Sequence, residues 1–212
     1  MRREGIRLPK FADRFYRLDF DADPMPVLSL YPFPEPVDLE SLQLVLSGLD
    51  CTPRAIAWPQ CTHIPRFRTR VPLICSIFNW AEEVEWEGVR LCDFLDDVGL
   101  VVPPEGYLGF YSRDDSYFET LPASMARDPR TLLATGLNGQ PLPLEHGGPL
   151  RLVVPFLQGY KSVKWLGTIR AFQHDPAGIK RLLGQSKTGL LRPAWRERYG
   201  IVQPDGADGR VV

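Results

Sequence analysis

Apolar residues recur along this chain with two different periods, and the changes of period mark its predicted elements. "LESLQLVLSGLD" (39–50) alternates well enough for a strand that ends in a turn. "VPLICSIFNW" (71–80) is a short apolar run and predicts a buried strand with Cys75 at its end. In "VEWEGVRLCDFLDDVGL" (84–100) the spacing shifts: Val89, Leu91, Phe94 and Leu95 fit one helix face, and Gly99 supplies a stop. "YLGFYS" (107–112) predicts another strand with "RDDS" as its polar turn. "DPRTLLATGLNGQPLPLEHGG" (128–148) predicts a short turn or helix, then a hairpin-like element around Asn138-Gly139. "PLRLVVPFL" (149–157) and "VKWLGTIRAF" (163–172) are the clearest strands, joined by "QGYKS". Beyond His174, "AGIKRLLGQ" (177–185) suits a short helix, and "PDGADGRVV" predicts a frayed end.

Several short strands, few helices and no internal repeat predict a mixed, β-rich α+β fold. Composition agrees: the chain has 21 prolines in 212 residues, against a usual share of about 5%. "PMPVLSLYPFPEPVD" (24–38) is too proline-rich for a helix or a central strand, so residues 1–40 read as an irregular entry. The charges balance at 25 basic and 26 acidic residues, which argues against nucleic acid as a partner. No run approaches the ~18 apolar residues of a membrane-spanning helix. The N-terminus has positive charge but no apolar stretch after it, so it is not read as a secretory signal. The expectation is a cytoplasmic protein, unless the N-terminus is that of a trimmed chain.

Four cysteines, Cys51, Cys61, Cys75 and Cys92, form no C-x-x-C pair and match no zinc-ribbon spacing. Each alone reads as a buried free thiol. The stretch from His146 to Arg170 is more informative, because Arg151, Lys161 and Lys164 sit there amid apolar sequence, with Ser162 and Gly159 beside them. Forked Arg donors, Lys point charges, a hydroxyl and a close-approaching glycine backbone make a reasonable anion cradle. Charges at alternating strand positions also suit a plain solvated face, so pattern alone leaves both open.

The wording of the chain narrows this. "LNGQPLPLEHGGPLRLVVPFLQGYKSVKWLGTI" (137–169) closely resembles the molybdopterin-binding core of the sulfite oxidase family. Other blocks resemble the family in the same order: "FYRLDF", "LQLVLSGLDCTP", "ICSIFNWAEEVEWEGVRLCDFLDDVG", "YLGFYSRDDSY" and "TLLATGLNG". The resemblance covers roughly residues 12 to 172. It implies a sulfite-oxidase-type core over 1–172, N-terminal arm included, with 173–212 as a C-terminal extension packed on it.

It also implies residue roles. Cys75 occupies the place of the cysteine whose thiolate binds molybdenum, a soft donor suited to a redox metal. His146 and Arg151 stand where the family contacts pterin and phosphate, and Lys161, Ser162, Val163 and Lys164 match the segment wrapping the cofactor. Tyr16 and Arg17 align with N-terminal contacts, Ser112 with a hydroxyl residue on the pterin, and Asp13 more weakly with a polar contact. The implied activity is two-electron oxo transfer on a small sulfur compound, sulfite or a sulfoxide, with molybdopterin as cofactor. The different-class reading is a non-catalytic molybdopterin-binding or carrier domain. A third is a cofactor-free interaction domain. With no C-x-x-C-H motif and only His63, His146 and His174 in the chain, the implied electron partner is a separate protein, a cytochrome or similar.

The chain departs from the family in three places. Bacterial members show Gly-Trp-Ser or Ala-Trp-Ser after the cysteine and sulfite oxidases Gly-Asn-Arg-Arg, whereas this chain has Ser76-Ile77-Phe78-Asn79-Trp80. Thr135 stands where sulfite oxidases carry a Tyr. Arg66, Arg68 and Arg70 suit either a basic substrate pocket or an exposed strand edge. After the core, about forty residues remain, too few for an immunoglobulin-like sandwich, and "WRERY" (195–199) is expected to be a packing anchor.

Overall fold

The computed structural model describes residues 17–29, 31–49, 51–75 and 77–204, with Arg17 and Cys51 described by backbone only. Two five-stranded sheets carry the fold. The first contains β3 (Gln43–Gly48), β4 (Cys51–Ala57), β7 (Tyr107–Ser112), β8 (Phe118–Pro122) and β12 (Leu166–Phe172), in the order β4-β3-β12-β7-β8. Only β12 and β3 run parallel; the other pairs are antiparallel. The second holds β5 (Arg66–Cys75), β6 (Trp80–Arg90), β9 (Leu132–Leu137) and β10 (Gln140–Pro141), in the order β10-β9-β6-β5, and β11 (Arg151–Val153) also pairs with β9. A two-stranded ribbon of β1 (Arg17–Asp19) and β2 (Val27–Ser29) precedes them.

Side-chain alternation explains how the second sheet is covered. Val89, Leu133 and Leu152 enter the large core with Leu44, Leu46, Phe110 and Ile169 of the first sheet. Val84, Trp86, Leu132, Ala134 and Val153 point the other way into a smaller cluster closed by Met25 and Leu142. Each large side chain so buried contributes ~1.5–3 kcal/mol. Burial on both faces makes every residue of β9 buried. For that reason "TLLATGL" shows no period of two, and the turn or helix expected there is a central strand. The turn after it is as expected, with Asn138 and Gly139 both at positive φ (49° and 75°).

The helix expected from Val89 onward begins later. Residues through Arg90 belong to β6, paired on one side with β5 and on the other with β9. α1 covers only Leu91–Asp97, burying Leu91, Phe94 and Leu95, with Gly99 at φ 63° just past its end. The two clear strands of the sequence are shorter than expected and lie in different sheets. Pro155 lacks an N–H, and the chain from Val154 to Trp165 crosses from β11 to β12 through a 3-10 turn at Gly159–Lys161. Lys161, Ser162 and Lys164 therefore sit in this crossing and not in a strand.

Three short helices complete the chain: α2 (Ala123–Ala126), α3 (Ile179–Leu182) and α4 (Pro193–Tyr199). The segment after β12 bonds back to the crossing: the Gln158 N–H donates to the Gly189 carbonyl, and the Gln203 amide to the Phe156 carbonyl. Among the described residues no helix is long and apolar enough to cross a membrane.

Candidate functional site

A cavity of about 190 Å³ opens where the end of β5 meets the crossing segment, roofed by the β1–β2 ribbon. Cys75 is the last residue of β5, opposite Trp80 across the ladder, half-buried and lining the cavity. Cys61 is in the main core, and burial pushes its thiol pKa up; Cys92 is raised for the same reason. Among the described thiols, Cys75 is the one that lines this space. Ile77 and Phe78 follow it at the cavity edge, both substantially exposed, with Phe20 packed edge-on against Phe78.

Two further residues of the lining are cations held by backbone carbonyls. Arg151 is 1% exposed, and its guanidinium donates to the carbonyls of His146 (2.7 Å), Ser162 (3.0 Å) and Leu152 (3.4 Å), 5.0 Å from the centre of the Trp86 ring. Burial lowers its pKa to about 9, so it stays charged at neutral pH. Lys164 donates to the carbonyls of Glu145 (2.8 Å) and Leu28 (3.1 Å). Burial first, then Arg151, depress its pKa to about 7, against an opposing pull from Glu145. Neither cation has a carboxylate ion-pair partner among the described residues. A buried positive charge without a counter-charge is costly, so this wall is built for an anion.

Local sequence holds the wall in shape. Gly147 has φ 102°, and a Cβ there would collide with the Lys164 side chain, so "HGG" lets Lys164 lie flat against the turn. Trp165 takes a left-handed φ of 52°, held by its N–H on the Gly147 carbonyl and its indole N–H on the Leu144 carbonyl. Such backbone in a bulky residue is strained and persists only where surroundings enforce it. The Ser162 hydroxyl accepts the Val154 N–H, tying the two sides of the crossing together.

Of the residues singled out in the sequence, Cys75, His146, Arg151, Ser162 and Lys164 line the one cavity. Lys161 does not: its ammonium turns away to Glu119 Oε2 (2.8 Å) and the Thr120 carbonyl (3.1 Å), so it braces the fold and leaves the cradle. Ser112 bonds Asp114 (2.7 Å) and accepts the Tyr117 N–H, closing the 112–117 turn, and Val163 is packed in the main core; neither side chain lines the cavity. Tyr16 and Asp13 lie outside the described residues, and Arg17 is placed only as backbone opposite Ser29. Arg66 and Arg68 both bond Glu87 on the exposed edge of β5, away from the cavity, which fits the strand-edge reading. Thr135 accepts from Arg66 at 2.8 Å.

Sequence reasoning missed four titratable cavity residues. Tyr31, Tyr117 and Tyr160 line it, and burial, with the Glu119 charge adding, pushes their phenol pKa values up, so they stay protonated. The fourth is Lys180, on α3, 8% exposed. Burial lowers its pKa, against opposing pulls from Glu119 and Cys75. Its only sequence signal is an inverted one: Leu182 and Leu183 beside it are 69% and 61% exposed.

Comparison with known proteins supplies the context for this cavity. A family model described as "Oxidoreductase molybdopterin binding domain" matches residues 31–180. "Uncharacterized oxidoreductase YuiH" of Bacillus subtilis is 31% identical over 155 residues, covering 73% of this chain and 77% of that protein. The protein-methionine-sulfoxide reductase catalytic subunit MsrP of Gluconobacter oxydans is 31% identical over 162 residues, covering 69% of this chain and 52% of that one. Human mitochondrial sulfite oxidase is 41% identical over 92 residues, 40% of this chain and 17% of its own length. The chain thus spans about half of MsrP and a smaller share of sulfite oxidase. Among solved structures, the sulfane dehydrogenase SoxCD of Paracoccus pantotrophus has a similar fold, with a TM-score of 0.64 at 20% identity over 81% of this chain and 54% of that one.

Proposed function

Since the chain belongs to the oxidoreductase molybdopterin-binding family, we propose that it is an oxidoreductase carrying out two-electron oxo transfer on a small sulfur compound, sulfite or a sulfoxide. The observation that carries this is the pairing of a cavity thiol, Cys75, with a buried Arg151 that has no carboxylate partner among the described residues. The residues fit the group. Among the described residues no cluster of three or more His, Cys, Asp or Glu stands ready to hold a metal by itself. A single thiolate beside an anion-binding wall suits a metal carried in by an anionic organic ligand.

The chain's own contributions follow from position. Cys75 would ligate the metal as its thiolate, the soft and charge-donating form. Arg151 and Lys164 would hold the pterin's anionic group, whose charge restores to both cations what burial took away. Trp80, Trp165 and Met25 line the cavity with apolar surface and keep water from the reacting atoms. When bound, molybdenum supplies a centre that cycles over two electrons and exchanges an oxo group with a lone-pair substrate. Electron exchange is assigned to a separate carrier, a cytochrome or similar. The cytoplasmic location belongs to the same proposal, and fractionation of producing cells tests it.

The test is molybdenum and pterin content of protein made in a host that synthesises the cofactor. Cys75→Ser should keep the fold, because the residue is half-buried at a strand end, and lose turnover by at least about a hundredfold. Arg151→Ala should lose pterin and metal together, because a bound phosphate would face an unpaired wall. Full pterin occupancy in Arg151→Ala would remove the anion cradle from this account.

A further inference from the structure

The inverted α3 turn carries one step beyond that reading. Lys180 is buried in the cavity wall while its neighbours Leu182 and Leu183 face outward, the reverse of what hydrophobic burial alone selects. Its position is enforced from the core. Glu119, fully buried on β8, uses Oε2 for Lys161 and Oε1 to accept the Lys180 N–H at 2.8 Å. A Cβ on Gly178 would collide with the same carboxylate, so the chain passes directly over it. Asp175 adds a second latch, accepting from the Thr120 hydroxyl at 3.1 Å and from Lys187 at 3.1 Å. The buried Glu119 and the part-buried Asp175 thus clamp the segment that delivers the Lys180 side chain to the cavity.

That side chain has no ion pair among the described residues. The Glu119 oxygens are already engaged, and Lys180 lines the same cavity as Cys75, close enough to feel its charge, while Arg151 and Lys164 are held by backbone carbonyls. A cation so placed is a donor open to a ligand beside Cys75. We propose that Lys180 is the substrate-side anion contact of this site, and that the site takes a small sulfur oxyanion of the sulfite type in preference to an uncharged sulfoxide. This rests on the oxidoreductase reading and narrows its substrate.

Sulfate serves as an oxyanion probe that does not turn over. Equilibrium dialysis of the cofactor-loaded protein against radiolabelled sulfate at fixed ionic strength should give a Kd that rises about tenfold or more in Lys180→Met. Lys180→Arg, which keeps the charge, should stay within about threefold. Both variants should retain wild-type molybdenum and pterin, because the cofactor wall is Arg151 and Lys164. In turnover the KM for sulfite should rise in Lys180→Met while that for dimethyl sulfoxide stays put. An unchanged sulfate Kd, or loss of pterin or molybdenum in Lys180→Met, would overturn the assignment, the latter making Lys180 a cofactor contact. If the wild-type protein itself holds no molybdenum or pterin, the oxidoreductase reading fails, and the sulfate titration of that same preparation still decides Lys180.

Discussion

Lys161 and Lys164 stand three residues apart on one crossing segment and meet opposite fates. Lys161 is 2% exposed and ion-paired to Glu119 at 2.8 Å, deep under the first sheet. Lys164 faces the cavity and, among the described residues, has only carbonyl oxygens at 2.8 and 3.1 Å to receive its protons. A buried cation with its own carboxylate is complete and can only brace the fold. One with dipoles alone keeps a deficit that a ligand's charge can fill. Counting basic residues in the segment would have merged the two; the partner of each ammonium tells them apart.

The contrast can be broken most sharply at Glu119. Glu119→Ala leaves Lys161 charged and buried against one carbonyl, and should destabilise the protein by about 3–5 kcal/mol in urea unfolding. A double variant, Glu119→Gln with Lys161→Met, should recover much of that loss. If Glu119→Ala unfolds at the wild-type urea midpoint, the brace has no energetic meaning.

Lys164 should behave in the opposite sense. Its folded pKa, about 7, lies below the usual 10.5, so between these values the unfolded chain binds more protons than the folded one. In cofactor-free protein this group makes stability rise with pH from about 7 to 10.5, with a ceiling of about 5 kcal/mol, and its penalty is constant below that window. Lys164→Met should flatten the rise, matching or exceeding wild-type stability at pH 7 while pterin retention falls. Urea midpoints at pH 7 and 9.5, with and without the substitution, read this directly.

The smallest effect belongs to the exposed edge of β5. Arg66→Ala with Arg68→Ala removes two ion pairs to Glu87 and the Arg66 bond to Thr135 at the strand edge. The cost should be about 1 kcal/mol or less, with KM for sulfite unchanged. A large rise in KM would restore the basic-pocket reading of those arginines.

Much of the site was legible along the chain. Cys75 stands out because a continuous apolar run ends on it, and Arg151 because a charge interrupts "PLRLVVPFL". Lys180 was not, since in "AGIKRLLGQ" the leucines look like the buried face and the lysine like the wet one. Glu119 in "YFETLP" has no local mark either; its value comes from Lys161 and the Lys180 N–H arriving from far along the chain.

By itself the sequence determined the β-rich plan, the strand that ends at Cys75, the Asn138-Gly139 turn and the family-like blocks around Arg151. Those depend on neighbours within a few residues: alternation, turn chemistry and wording. Tertiary structure alone decided that β9 is central, that "PLRLVVPFL" and "VKWLGTIRAF" feed different sheets, and which lysines face the cavity. Each of these turns on what lies across a sheet or beneath a crossing, and a side chain's charge carries no record of the partner that will meet it.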